Sequence, residues 1–223
     1  MVAVLFLLTI LGFFVVDLVL RRRKEAAASV AVPEPSAPFP TLSGVELPGG
    51  LFVHSGHTWA KLDPSGAVQV GLDGFAQKVL GKVDRFELPA DGSKVRQGEP
   101  AFAALQGGKR IEFVSPIDGV VCGVNEGINA DPSAARCEPY GKGWAFAIRP
   151  TNLSANLRKL KIGGEAAEWL SKEVRSFTEF LSLYRAVPLE VGVTLADGGL
   201  HVDGVMETMD GEILKIAVRK YFR

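Results

Sequence analysis

The sequence predicts a mainly β domain, a small sandwich or barrel with added helices, preceded by one transmembrane helix. Three observations carry this. Between Leu51 and Pro150 short apolar runs alternate with turn residues at regular intervals, the pattern of many short strands. From Glu165 to Arg185 the apolar residues Leu170, Val174, Phe177, Leu181 and Tyr184 are spaced 4, 3, 4 and 3 apart, which is the repeat of one helix face. Val2 to Leu20 reads VAVLFLLTILGFFVVDLVL, with Arg21, Arg22, Arg23 and Lys24 directly after it.

The first element is the membrane segment. As a helix its 19 residues would span about 28 Å, close to the roughly 30 Å hydrocarbon core. A secretory signal carries its positive charges before the apolar run. Here they follow it, so the segment reads as an uncleaved single-pass anchor in the cell (inner) membrane. The positive-inside rule then sets the N-terminus outside and the folded domain in the cytoplasm. Asp17 lies one turn from the basic end, where it reaches the interface or pairs with the arginines; the alternative is contact with a partner helix.

Residues 25–48 form a linker rich in Ala, Ser and Pro. An extended chain of that composition reaches roughly 70 Å. Strands are expected at Trp59–Leu62, Ala67–Leu72, Asp84–Leu88, Lys94–Arg96, Val120–Val124 and Trp144–Arg149, with a helical turn at Asp73–Leu80 and a hairpin across Ala101–Ile117. A short helix is expected over Ser154–Leu160, broken by Gly163 and Gly164 from the long helix Glu165–Arg185, which ends before Pro188. The long helix is expected to pack on the sandwich. Residues 187–223 read as a unit of their own: a hairpin of Leu189–Leu195 and Leu200–Val205, then a helix over Ile213–Phe222 with Lys215 and Arg219 on its wet side. The domains are therefore 1–24, 25–48, 49–186 and 187–223.

Composition narrows the function. The 223 residues have zero formal net charge and 47% hydrophobic content. Without residues 1–24 the chain keeps 21 basic and 24 acidic residues, a balance that excludes an extended nucleic-acid surface. Cys122 and Cys137 form no CxxC pattern and read as reduced, buried packing residues. His54 and His57 lack the companions of a metal site, and His201 stands alone in a strand. Gly107-Gly108-Lys109 lacks the rest of a phosphate loop.

Four stretches occur in a telling order: His57-Thr58-Trp59-Ala60-Lys61; Val70-Gly71-Leu72-Asp73-Gly74-Phe75-Ala76-Gln77; Glu87-Leu88-Pro89 with Gly98-Glu99-Pro100; and Glu138-Pro139-Tyr140-Gly141-Lys142-Gly143-Trp144. Over roughly residues 54–170 the chain resembles the glycine cleavage system H protein family. The resemblance implies a biotinyl/lipoyl-type β sandwich with C-terminal helices. It also implies a lysine at an exposed hairpin turn that carries lipoate, on a long arm able to visit several active sites.

At the tip, Gln106-Gly107-Gly108-Lys109-Arg110, the chain departs from that family. A gapless comparison sets Gly108 on the lysine position and Leu105 on that of the acidic residue three places earlier. The nearest lysine is Lys109, and a one-residue shift along a strand reverses a side chain's face. The sequence therefore leads to a membrane-anchored, non-catalytic and non-lipoylated binding or scaffold subunit of a membrane-associated complex. Its partners are protein subunits and the membrane, with no cofactor, metal or nucleic acid. Gln106, Gly107, Gly108 and Arg110 are candidate partner contacts, while Lys109 and Arg110 read as solvated turn charges. The alternative is a membrane-tethered carrier with lipoate on Lys109. A third reading is a regulator that binds the attaching enzymes or lipoyl-dependent partners.

Overall fold

The computed structural model describes residues 47–184 and 203–223. The anchor with Asp17 and Arg21–Lys24, most of the linker, His201 and the strand expected at Leu189–Leu195 lie outside the described residues. Among the described residues no helix is long and apolar enough to cross a membrane.

In chain order the elements are β1 (Phe52–Val53), β2 (Thr58–Leu62), β3 (Val68–Leu72), α1 (Gly74–Leu80), β4 (Arg85–Glu87), β5 (Lys94–Val95), β6 (Pro100–Gln106) and β7 (Lys109–Val114). There follow β8 (Gly119–Val124), α2 (Gly127–Ala130), α3 (Ser133–Cys137), β9 (Trp144–Pro150), α4 (Leu153–Leu157), β10 (Lys161–Ile162), α5 (Gly163–Leu183), α6 (Val205–Thr208) and α7 (Gly211–Tyr221). A seven-stranded sheet runs β10-β1-β2-β3-β9-β8-β5, and a three-stranded sheet runs β4-β6-β7. Their strand pairs are antiparallel. Inward residues of both sheets meet in one core, where Phe146 of β9 lies edge-on to Phe102 of β6 at 5.4 Å. That is the layered packing expected of a sandwich.

Three stretches of the sequence lock together beside this core. Asp73 caps α1: its Oδ1 accepts from Ala76 N at 2.8 Å, as a carboxylate at that position does. Its Oδ2 accepts from His57 Nδ1 at 2.7 Å, with both side chains fully buried. Trp59 Nε1 donates to Leu72 O at 3.0 Å and to Pro139 O at 3.1 Å. Tyr140 Oη accepts from Gly74 N at 2.8 Å. Burial pushes the Tyr140 phenol far above its ordinary range, and the nearby Asp73 carboxylate adds to this. The motifs are thus one hydrogen-bonded knot rather than separate signatures.

The long helix buries Leu170, Val174, Phe177 and Leu181, as its spacing predicts, but leaves Tyr184 exposed. Gly163 and Gly164 open this helix instead of breaking the chain ahead of it, and Lys161–Ile162 form a strand the sequence reading missed. The short helix is α4, which stops at Leu157. Both cysteines are exposed, not buried: Cys122 alternates outward on β8, and only Ala135 of α3 is buried.

The tail brings the largest correction. Val205 opens a helix instead of closing a strand. Residues 203–223 are also no separate unit, because Val205, Met206, Met209, Leu214, Ala217, Tyr221 and Phe222 belong to the main core. Phe222 is fully buried against His57, Phe75 and Phe113. Tyr221 Oη donates to Ser176 O at 2.9 Å. On the wet side of α7, Lys215 and Arg219 are exposed. Phe222→Ala is expected to lower unfolding stability by about 3–5 kcal/mol, the cost of emptying a buried aromatic site. Urea titration reads this, and a loss below about 1 kcal/mol would show that the tail merely rests on the surface.

His54 generates a pH dependence. It is largely buried and its Nδ1 accepts from Gly56 N at 3.0 Å. Burial, then the nearby Lys161 charge, lowers its pKa from 6.5 to about 4. The folded state therefore resists protonation that the unfolded state accepts at its ordinary value. Stability is expected to be lost as pH falls from about 6.5 to about 4, with no further loss from this group below that. Denaturant unfolding across that range should show the slope, and His54→Asn, which keeps an acceptor, should flatten it.

Candidate functional site

The tip of the β6–β7 hairpin is built from two glycines. Gly107 and Gly108 both have positive φ, 53° and 77°, and Gln106 faces Lys109 across the turn. This is the two-residue turn whose twist suits a hairpin and which favours glycine at both positions. A side chain at Gly108 would meet no heavy atom within 4 Å, so space is open there and only backbone strain opposes it. Gly107 N donates to Asp84 Oδ2 at 2.8 Å, which ties the turn to the loop after α1.

Because Gln106 and Lys109 face each other across the ladder, they share one side of the hairpin. The end of α1 and the described tail lie on that side. Gln106 is buried, and its Nε2 donates to Leu80 O and Lys82 O, at 2.5 and 2.8 Å. It secures the C-terminal end of α1 and is no free partner contact. Lys109 Nζ donates to Met206 O at 3.3 Å, Glu207 O at 3.1 Å and Met209 O at 2.8 Å. Its ammonium therefore satisfies the carbonyls at the C-terminal end of α6, where a positive charge is favoured. Lys109 is not a solvated turn charge, since all three donors of an ammonium have backbone partners.

The same tail segment is held on either side of Lys109. Gly204 N donates to Lys78 O at 2.8 Å, and Glu207 Oε1 accepts from Lys82 N at 2.7 Å. Arg136 Nη2 lies 2.7 Å from both carboxylate oxygens of Asp203. Gly81 makes this approach possible: a Cβ there would lie 2.1 Å from Glu207 Oε1 and 2.5 Å from Gly204 Cα.

On the opposite face Arg110 is half exposed and paired. Its Nε donates to Glu87 at 2.7 Å and its Nη1 to Glu112. Arg223 Nη2 donates to Glu112 at 2.7 Å. The Arg110 hydrogen bond, more than any other influence, holds the Glu112 carboxyl below its usual range. Leu105 lies directly across from Arg110, so no carboxylate stands at that register position. The tip residues themselves thus offer Gly107, Gly108 and Arg110 to solvent and withdraw Gln106 and Lys109.

His57 is a residue whose role the sequence left open. It adopts φ 59°, a conformation rare for a non-glycine residue. Its Nε2 is buried among Phe75, Trp169 and Phe222, with no hydrogen-bond partner among the described residues. The Asp73 partner, 16 residues away, was the missed signal. Among the described residues no group of His, Cys, Asp and Glu is arranged to hold a metal ion.

A small antiparallel sandwich that displays one short hairpin, backed by helices, is a lipoyl-like domain of the H-protein kind. Residues 51–173 match the family described as glycine cleavage H-protein, and the chain belongs to that family. It is 35% identical over 106 residues to the glycine cleavage system H protein of Chromobacterium violaceum, covering 48% of this chain and 83% of the relative. It is 35% identical over 122 residues to a probable glycine cleavage system H protein of Pyrococcus abyssi, covering 54% and 90%. A crystal structure of a glycine cleavage system H protein from Mycobacterium marinum aligns with TM-score 0.44 and 28% identity, over 47% of this chain and 87% of that one. Members of the family are carrier proteins, not enzymes, and typically carry lipoate.

The Lys109 contacts can be tested alone. Lys109→Met keeps the apolar stem but removes the ammonium from three carbonyls. The expected loss is about 1–3 kcal/mol, the range for a charged hydrogen-bonding group, together with faster amide hydrogen exchange around α6. Unchanged exchange there would mean that Lys109 does not hold the segment.

Proposed function

We propose that this chain is a membrane-anchored, non-lipoylated H-protein-like binding or scaffold subunit of a membrane-associated complex. One observation carries the reading: Lys109, the lysine nearest the family's attachment position, has its ammonium engaged by the carbonyls of Met206, Glu207 and Met209. An acylated lysine needs a free, neutral amine at the moment of attack and an arm able to swing afterwards. Here both would cost the three contacts and the end of α6. Gly108, the gapless match to the attachment position, has no side chain to modify, and Leu105 supplies no acidic neighbour. The tip has kept its turn while its lysine has become part of the packing.

The membrane part of the reading rests on the apolar run Val2–Leu20 and the basic cluster after it. That arrangement supports a domain on the cytoplasmic side of the inner membrane, at the end of the Pro-rich linker. A scaffold role fits a family of carriers that work by docking to other proteins.

Intact-mass measurement of the chain purified from its native host tests this directly. The expected mass is that of the unmodified polypeptide. A lipoyl or octanoyl increment that disappears in Lys109→Ala would establish the tethered-carrier reading instead. The mass increment is read independently of stability, so the lost contacts of that variant do not confuse the result.

A further inference from the structure

Next to the tip, the hairpin and the tail form a second surface. Arg110 and Glu112 of β7 face Lys215 and Arg219 of α7, with Arg223 at one end, around a groove of about 230 Å³. Four cations therefore line it against one carboxylate. That carboxylate, Glu112, lies between the guanidinium groups of Arg110 and Arg223. Lys215 is engaged by Glu212 at 2.7 Å, while Arg219 is exposed and has no ion pair among the described residues. Val218 gives the groove its apolar side, with Leu214 of the main core beneath it. They lie four residues apart on α7, parallel to the Lys215–Arg219 pair.

We infer that this groove is a docking site for an acidic segment of a partner protein, one that presents carboxylates and apolar side chains on the same face of a helix. The inference rests on the scaffold reading above and names its contact surface. Three features select this occupant. The groove is concave and rich in arginine, whose planar fork matches carboxylates in pairs. Its floor already holds one carboxylate between two guanidiniums, so the chemistry of the ligand is present in the chain itself. Its local charge is positive by one. The lining cations Arg110, Lys215 and Arg223 are met by Glu87, Glu112 and Glu212, and the surplus charge of Arg219 draws an acidic partner to one place.

The experiment uses the full chain in nanodiscs of neutral lipid and a fluorescent helical peptide carrying Glu at i and i+4 beside Leu at i+3 and i+7. Anisotropy is expected to show saturable binding that weakens with salt. Affinity should fall about tenfold or more in Lys215→Glu with Arg219→Glu. Both side chains are exposed, so circular dichroism and melting temperature should stay unchanged. A peptide of the same composition with its glutamates spread around the helix should bind at least about fivefold more weakly. Equal binding by the double variant or by the scattered peptide overturns the inference. So does loss of peptide binding when phosphatidylserine is added to the same nanodisc, because the groove would then face the membrane. An unmodified mass without peptide binding sinks this inference alone, whereas a lipoyl increment sinks the scaffold reading.

Discussion

The buried carboxylate of Asp73 fixes the position of everything at the tip. It starts α1 by capping Ala76 N and holds the imidazole of His57 at its other oxygen. A charge removed from water is tolerated only with such partners, and here each oxygen has one. With its start fixed, the seven-residue α1 delivers its last carbonyls to Gln106. Lys78 O, in its last turn, meets Gly204 N. The hairpin and the tail are therefore registered against the same helix end, about two turns from Asp73. His57 closes the arrangement from the other direction, because its ring is a wall of the site that receives Phe222.

This arrangement also engages the tip lysine with the tail. In the three-stranded sheet β7 is an edge strand, and edges invite pairing with other chains. The tail contacts β7 at three levels: Lys109, Phe113 and Glu112 each meet a residue of 203–223. An arm swinging from Lys109 and a tail docked beside it compete for the same space, and the Lys109 ammonium is bound to the tail. The other face of β7 is charged, with Arg110 and Glu112 paired there and Arg223 reaching Glu112, and that difference between its two sides makes the domain directional.

Much of the sandwich was legible in the sequence because strand alternation and turn residues are local signals. The strands at Thr58–Leu62, Val68–Leu72 and Trp144–Pro150 follow from them. The face of α5 follows from its spacing for the same reason. The two-residue strands β1 and β10 were not legible, since each is defined only by its partner. Gly163 and Gly164 mark a helix boundary in either direction, and only the β10 strand before them decides which. Lys109 and Gln106 were named correctly as tip residues, but their destinations lie 97 and 26 positions away. The tail was misread as separate because its apolar positions, Tyr221 and Phe222, look like the end of an ordinary amphipathic helix. Only the shape of the pocket between Phe75, Phe113 and His57 shows where Phe222 goes.

The distance along the chain between tip and tail also has a kinetic meaning. Lys109 leaves the ribosome 97 residues before Met206, which at ordinary synthesis rates is about 5–20 s. During that interval the hairpin can form while the carbonyls that hold its ammonium do not yet exist. The newborn domain thus passes through a state with a free tip lysine and an uncovered aromatic pocket, and it leaves that state only when its last turn of helix arrives. The order of synthesis gives any enzyme or chaperone that acts on this hairpin a fixed window, which the docking of the tail then closes.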